Sequence, residues 1–258
     1  MLMAATTTVS PVWAATRATG VVALILLTGT LLLGITSAAG ITTSRWPRFG
    51  SQDLHRNLSL LCVALIGIHV ATTVWDGYVP IGFLDAVIPF HSPYRTVYVG
   101  LGAIAFDLFV ALLVTSALRH RIGFGAWRAV HWVAYLCWPI AMVHALGSGT
   151  DARNHLVTLI DVVCGAAVLL ASLTWAARRR DLDPTVRTAG AVGAVMAALA
   201  IVVFAAAGPL RAGWARRAAP AKTLPPAAAA TGVAARGPAE QRAAAQKAAA
   251  QEPSASVQ

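Results

Sequence analysis

The chain has 258 residues, 57% of them hydrophobic and only 12% charged, with a mean hydropathy of +0.67. A water-soluble domain carries about 25% charged residues, so an ordinary soluble enzyme is excluded, and the length leaves no room for a polytopic core plus a full soluble catalytic domain. The net charge of +10 does not imply a nucleic-acid partner, because half of the excess sits at one end: residues 209–258 hold seven Lys/Arg against two Glu.

A bilayer core of about 30 Å takes about 20 apolar residues in a helix. After an N-terminal segment, 1–19, six stretches qualify in chain order: Gly20–Gly40, Leu58–Trp75, Thr96–Leu118, Ala129–Leu146, Leu156–Ala177 and Thr188–Gly208. Backbone in lipid must satisfy its own hydrogen bonds, so these runs are helices. The expectation is an all-α integral membrane protein, a six-helix bundle over residues 20–208. The first run ends in small residues like a signal peptide, but it is long for one and reads as a retained helix. The Ala/Pro-rich stretch 209–258 has no packing pattern and reads as a disordered, low-complexity tail. Cys62, Cys137 and Cys164 lie inside apolar runs, with no CxxC or CxxCH, and read as buried small hydrophobes.

Arginines in the short loops set the orientation. Arg45, Arg48, Arg56, Arg119, Arg121, Arg128, Arg178, Arg179, Arg180 and Arg187 flank one side of the helices; Arg17, Arg95 and Arg153 flank the other. The first group marks the cytoplasmic side, which places the protein in a cell membrane with both termini extracytoplasmic. The basic tail runs against this bias, but long tails translocate largely regardless of charge.

Four of the seven histidines form a pattern. The second helix carries His55 and, fourteen residues on, His69; the fourth carries His131 and, thirteen residues on, His144. Both helices run in the same direction, so the first histidines share one depth and the second histidines another, about 20 Å apart. Fourteen residues return to within about 40° of the starting face, whereas thirteen fall about 140° short in a straight helix. Pro139 between His131 and His144 is positioned to alter that phase. Two co-directional helices with imidazoles at two depths suit axial ligation of two planar macrocycles, one His from each helix per iron. Histidine in a membrane span is costly and tends to be functional.

These residues, with the stretches "PFHSPYRTVYVGLG" and "WRAVHWVAYLCWPIAMVHALGSGTD", resemble the ferric reductase-like transmembrane domain superfamily over roughly residues 43–180. That superfamily includes the membrane domains of NADPH oxidases and ferric reductases and the haem-binding subunit of the bacterial methionine-sulfoxide reductase system. The resemblance implies two non-covalent b haems, an inner one on His55 and His131 and an outer one on His69 and His144. Arg56 and Arg128 lie within one turn of the inner histidines and are read either as propionate partners of the inner haem or as positive-inside anchors; Arg95 and Arg153 are the corresponding candidates outside. The sequence departs from the oxidases after the fifth helix. "RRRDLDPTVR" leads into a sixth helix instead of an FAD and NADPH domain, and no GxGxxG follows a strand-like segment.

The expected function is transmembrane electron transfer, as an oxidoreductase component. Electrons pass from a cytoplasmic or membrane donor (a separate flavoprotein, a dehydrogenase or a quinol) to an extracytoplasmic acceptor protein or small oxidant. The competing readings are a His-lined transition-metal transporter and a structural membrane subunit. Asp107, in mid-helix, is expected to face the bundle interior, hydrogen-bonded to a neighbouring helix, orienting an imidazole or carrying protons; Asp161 lies nearer the outer face. His91, His120 and His155 are expected to be loop residues and not ligands. His91 sits in an aromatic-rich outer loop, 76–95, which reads as an interfacial aromatic belt, a cap on the outer site or an acceptor surface.

The arginine bias makes a direct prediction. A reporter that fluoresces only in the cytoplasm, fused after Gln258, is expected to leave the cell dark; a bright cell would mean that a helix is miscounted or that the basic tail dominates.

Overall fold

The computed structural model describes residues 11–41, 48–76, 79–149 and 152–214. Arg45 and the tail beyond Trp214, with its expected disorder, lie outside the described residues. Six helices are long and apolar enough to cross a membrane, and no strand occurs among the described residues. The first two begin about ten residues before their apolar cores: α1 is Pro11–Ala38 and α2 is Arg48–Trp75. A short α3, Phe83–Val87, lies in the loop before α4, Thr96–Ala117. The loop helix α5, Arg119–Ile122, precedes a fourth span made of two pieces, α6 (Phe124–His131) and α7 (Ala134–Ser148). The last two spans are α8, His155–Arg178, and α9, Pro184–Ala207.

Local sequence explains the later boundaries. The Asn154 side chain accepts from the amides of Leu156 and Val157 and caps α8. Asp183 accepts from the Thr185 amide, with Pro184 in the first turn of α9. That amide holds the Asp183 carboxyl below its ordinary range.

The first helix is the spine. It packs antiparallel on α2 and also against α7 and α8, while α4 packs antiparallel on α7 and α9 on α8. One buried cluster joins α1, α7 and α8 around Ile35, Trp138 and Met142, and the Trp138 indole donates to Thr28 Oγ1 at 2.9 Å. A second joins α2, α4 and α7 around Cys62, Phe109 and Cys137. All three cysteines are free and buried, as their apolar setting implies.

The fourth span is not the single proline-kinked helix read from the sequence. It breaks at Trp132–Val133, nearly two turns ahead of Pro139. Pro139 has no N–H to offer the Tyr135 carbonyl, and its ring crowds that carbonyl. The turn before it tightens, with i→i+3 bonds from Val133 to Val130, Tyr135 to Trp132 and Leu136 to Val133. A 3₁₀ turn advances about 120° per residue instead of about 100°, so each tightened residue between Val130 and Leu136 turns His144 by about 20° toward the face of His131.

The end of the bundle that holds the C-terminus of α7 is tied down by a residue read from the sequence as a haem-side cation. Arg95 is 2% exposed and sits in the left-handed region at φ 42°. Its guanidinium donates to the carbonyls of Gly147 (2.6 Å) and Gly149 (3.3 Å). Those are the free carbonyls at the C-terminus of α7, where a cation is doubly favoured. In the same loop Asp85 is 5% exposed, accepts from the Gly82 amide at 2.7 Å and hydrogen-bonds His91 Nδ1 at 2.6 Å. Beyond α9 the chain does not leave the bundle at Gly208: Pro209 is fully buried, and the Trp214 ring lies 5.6 Å from that of Tyr98.

Replacing Arg95 by Leu strands the buried Gly147 carbonyl. The expected loss is about 1.5–3 kcal/mol, read as a lower denaturation midpoint in detergent; an unchanged midpoint would remove Arg95 from this role.

Candidate functional site

The bundle brings the four patterned histidines together in two pairs. The rings of His55 and His131 are 6.3 Å apart between centres, and those of His69 and His144 are 6.5 Å apart. All four are partly buried. The pairing follows from α2 and α6–α7 running in the same direction, and the tightened turn delivers the second pair. A metal–imidazole bond is about 2.0–2.1 Å and the ring centre lies somewhat over an ångström beyond the nitrogen, so two imidazoles on opposite sides of one metal have centres about 6–6.5 Å apart. The measured separations match that arrangement and leave too little room for a hydrogen-bonded water chain. Among the described residues no three His, Cys, Asp or Glu side chains gather into a group that holds a metal by themselves. A pair suffices where a macrocycle supplies the remaining ligands, and the donor set therefore fits haem.

Each imidazole has one N–H to place in a medium without water, and three of the four place it in the same way. His69 Nδ1 donates to Thr16 O at 2.8 Å, His55 Nδ1 to Thr30 O at 3.0 Å, and His144 Nδ1 to Tyr98 O at 2.7 Å. In each case the residue four positions after the acceptor is glycine. A Cβ on Gly20 would lie 2.9 Å from His69, one on Gly34 3.8 Å from His55, and one on Gly102 2.5 Å from His144. A helical carbonyl points toward the residue one turn on, so the missing side chain there opens it to a second donor. The result is a socket of carbonyl plus glycine that holds the Nδ1 edge of the ring. The two sockets on α1 are fourteen residues apart, and so are His55 and His69. The sequence holds this as two T-x-x-x-G stretches, "TRATG" and "TLLLG", which carry no signal until the antiparallel register of α1 on α2 is known.

His131 differs. Its Nδ1 is buried without a hydrogen-bond partner, and its ring stacks on Trp127 with centres 4.9 Å apart. The remaining expected residues are dispersed. Arg56 and Arg128 are exposed, one to three positions from the His55–His131 pair. Arg153, His120 and His155 are exposed. Asp107 is half-buried on α4 and hydrogen-bonds none of the imidazoles; main-chain carbonyls do the orienting expected of it. Arg17, read only as an outer topological charge, follows Thr16 in the His69 socket and lies over the Trp13 ring at 4.8 Å. Asp161 lines a separate apolar cavity of about 640 Å³ between α1, α7, α8 and α9, which none of the four histidines enters.

The family described as "Ferric reductase like transmembrane component" matches residues 19–147. The match runs from α1 to α7 and contains all four paired histidines. It begins and ends earlier than the resemblance over 43–180, taking in most of α1 and stopping before α8. Neither the curated proteins nor the solved structures contain a match to this chain.

The sockets predict a graded glycine series. Gly102→Ala drives a Cβ into His144 and is expected to destabilise by about 1–3 kcal/mol, as overpacking does. Gly34→Ala meets His55 at ordinary contact distance and should be neutral, or stabilising by up to about 1 kcal/mol through helix propensity. Denaturation midpoints of the two variants check this, and equal effects would dismiss the socket.

Proposed function

The chain belongs to the ferric reductase-like transmembrane family, and from that premise we propose that it carries electrons across a membrane through two non-covalent b haems. His55 and His131 hold one, His69 and His144 the other. The observation that carries the proposal is the pairing itself: two imidazole pairs in one apolar bundle, each at the separation one metal requires. When bound, haem supplies a one-electron ferric–ferrous couple.

The chain's own residues do the rest. Thr16, Thr30 and Tyr98 hold the Nδ1 protons of His69, His55 and His144 through their carbonyls, so each Nε2 stays unprotonated and faces inward. The apolar clusters around Cys62 and Trp138 exclude water from the flanks of both levels. Arg56 and Arg128 are placed to pair with propionates at the level of His55 and His131. Arg17 stands near the His69–His144 level, where Arg95 is already committed to the end of α7. Both termini face outward in this reading, which puts His55 and His131 on the cytoplasmic side. A separate flavoprotein, dehydrogenase or quinol gives the electrons, and an extracytoplasmic protein or small oxidant takes them. The chain thus acts as the membrane component of an oxidoreductase.

Pyridine haemochrome assay of the purified protein should give close to two haems per chain, extractable with acid acetone. His55→Ala and His131→Ala should each leave the same single haem, with one spectrum and one midpoint potential in common; His69→Ala and His144→Ala should share the other signature. The double replacement of His55 and His131 should look like either single one, since groups that act as a unit are not additive. A shared signature for His55→Ala and His144→Ala would contradict the assignment.

A further inference from the structure

The unequal treatment of His131 has a cause in the sequence of α4. The first socket on that helix is the Tyr98 carbonyl with Gly102. Fourteen residues on, which on α1 is the spacing from one socket to the next, stand Leu112 and Ser116. Leu112 is buried in the cluster between α2, α4 and α7, so this part of α4 faces the histidine helices. Its carbonyl is the counterpart of Tyr98 O, and the position four residues on, glycine in the other three sockets, is serine. Ser116 fills the opening with its Cβ, and its hydroxyl accepts from the Trp127 indole at 3.2 Å. Trp127 then covers the face of His131. The Leu112 carbonyl receives the Thr115 hydroxyl instead, at 3.3 Å. A hydroxyl alone does not close a socket: Thr19 also reaches Thr16 O, at 3.1 Å, and His69 still binds there. What separates the fourth position from the other three is the side chain at Ser116.

We propose that Ser116 is a positioning residue that makes the two haem sites unequal, by closing the fourth socket and leaving His131 without the acceptor its three counterparts have. This rests on the reading that the four histidines ligate two haems. An imidazole whose distal N–H donates to a carbonyl is a more basic ligand and favours the ferric state, which lowers the reduction potential of its iron. The site of His69 and His144 has two such ligands; the site of His55 and His131 has one. Ser116 therefore holds the potential of the second site above the value it takes when both its ligands are hydrogen-bonded. It acts through His131, without touching the iron.

The test is potentiometric titration of the purified full chain, with haem content measured on the same preparation. Ser116→Gly opens the socket and Ser116→Ala keeps its Cβ. Trp127→Phe removes the indole donor while retaining a ring against His131. Both haems should be retained in all three variants. Ser116→Gly should shift to lower potential the wave that His69→Ala retains, and leave the other wave in place. Ser116→Ala and Trp127→Phe should leave that shift absent. The proposal is overturned if Ser116→Gly moves neither wave, moves the wave belonging to His69 and His144, or is matched by Ser116→Ala. A preparation of the unsubstituted chain without haem would instead sink the ligand assignment, so the two failures are distinguishable.

Discussion

A buried imidazole in hydrocarbon must do something with its N–H, and the bundle is organised around that requirement. Lipid offers no water, side-chain acceptors are scarce, and carbonyls in the body of a regular helix are already engaged along it. The protein takes a second bond from selected carbonyls and clears the approach with glycine. Each socket fixes a contact between two helices: Thr16 and Gly20 with His69, Thr30 and Gly34 with His55, Tyr98 and Gly102 with His144. Two equal spacings on α1 and α2 permit one antiparallel register and no other. The polar requirement that makes histidine expensive here thereby specifies the packing, much as small residues and interhelical hydrogen bonds do in membrane bundles generally.

This explains which features were legible in advance. The six spans follow from composition, because apolar runs of that length with at most one charge have few alternatives to a membrane helix. The pairing of His55 with His131 and of His69 with His144 follows from helix direction alone. The phase of His144 did not follow, because the correction lies in the hydrogen bonding of the turn ahead of Pro139, and a single proline does not announce how many residues will tighten. The sockets were hidden for another reason: a glycine in an apolar helix says nothing until its neighbour is known. Arg95 was misjudged because its loop position suggested a free cation, whereas the left-handed backbone at that residue turns the side chain into the end of α7.

The helices divide into two groups with different tasks. The spans α1, α2, α4 and α6–α7 carry all four paired imidazoles and every socket, and the family match ends with them at residue 147. The spans α8 and α9 pack behind α1 and α7 and contribute Trp175 and Cys164 to the cluster around Trp138 and Met142. They bound an apolar cavity and no histidine pair. Their contribution to the site is indirect: they hold the far faces of α1 and α7, so that the near faces stay in register.

The tightened turn and the serine socket are linked by this geometry. On α4, a regular helix, the two socket positions are fourteen residues apart, but the histidines they face on α6–α7 are thirteen apart. Overwinding between His131 and His144 turns the second histidine back toward the face of the first, and its bonds begin at Val130, directly before His131. His131 thus sits where the regular helix ends, held by the stacked Trp127 in place of a carbonyl. A ligand fixed by stacking keeps its place through shape, without the increase in basicity that a hydrogen bond brings. Four chemically identical side chains are therefore presented in two electronic settings, three through sockets and one through an aromatic face, and the difference traces to one residue on the opposite helix that is not glycine.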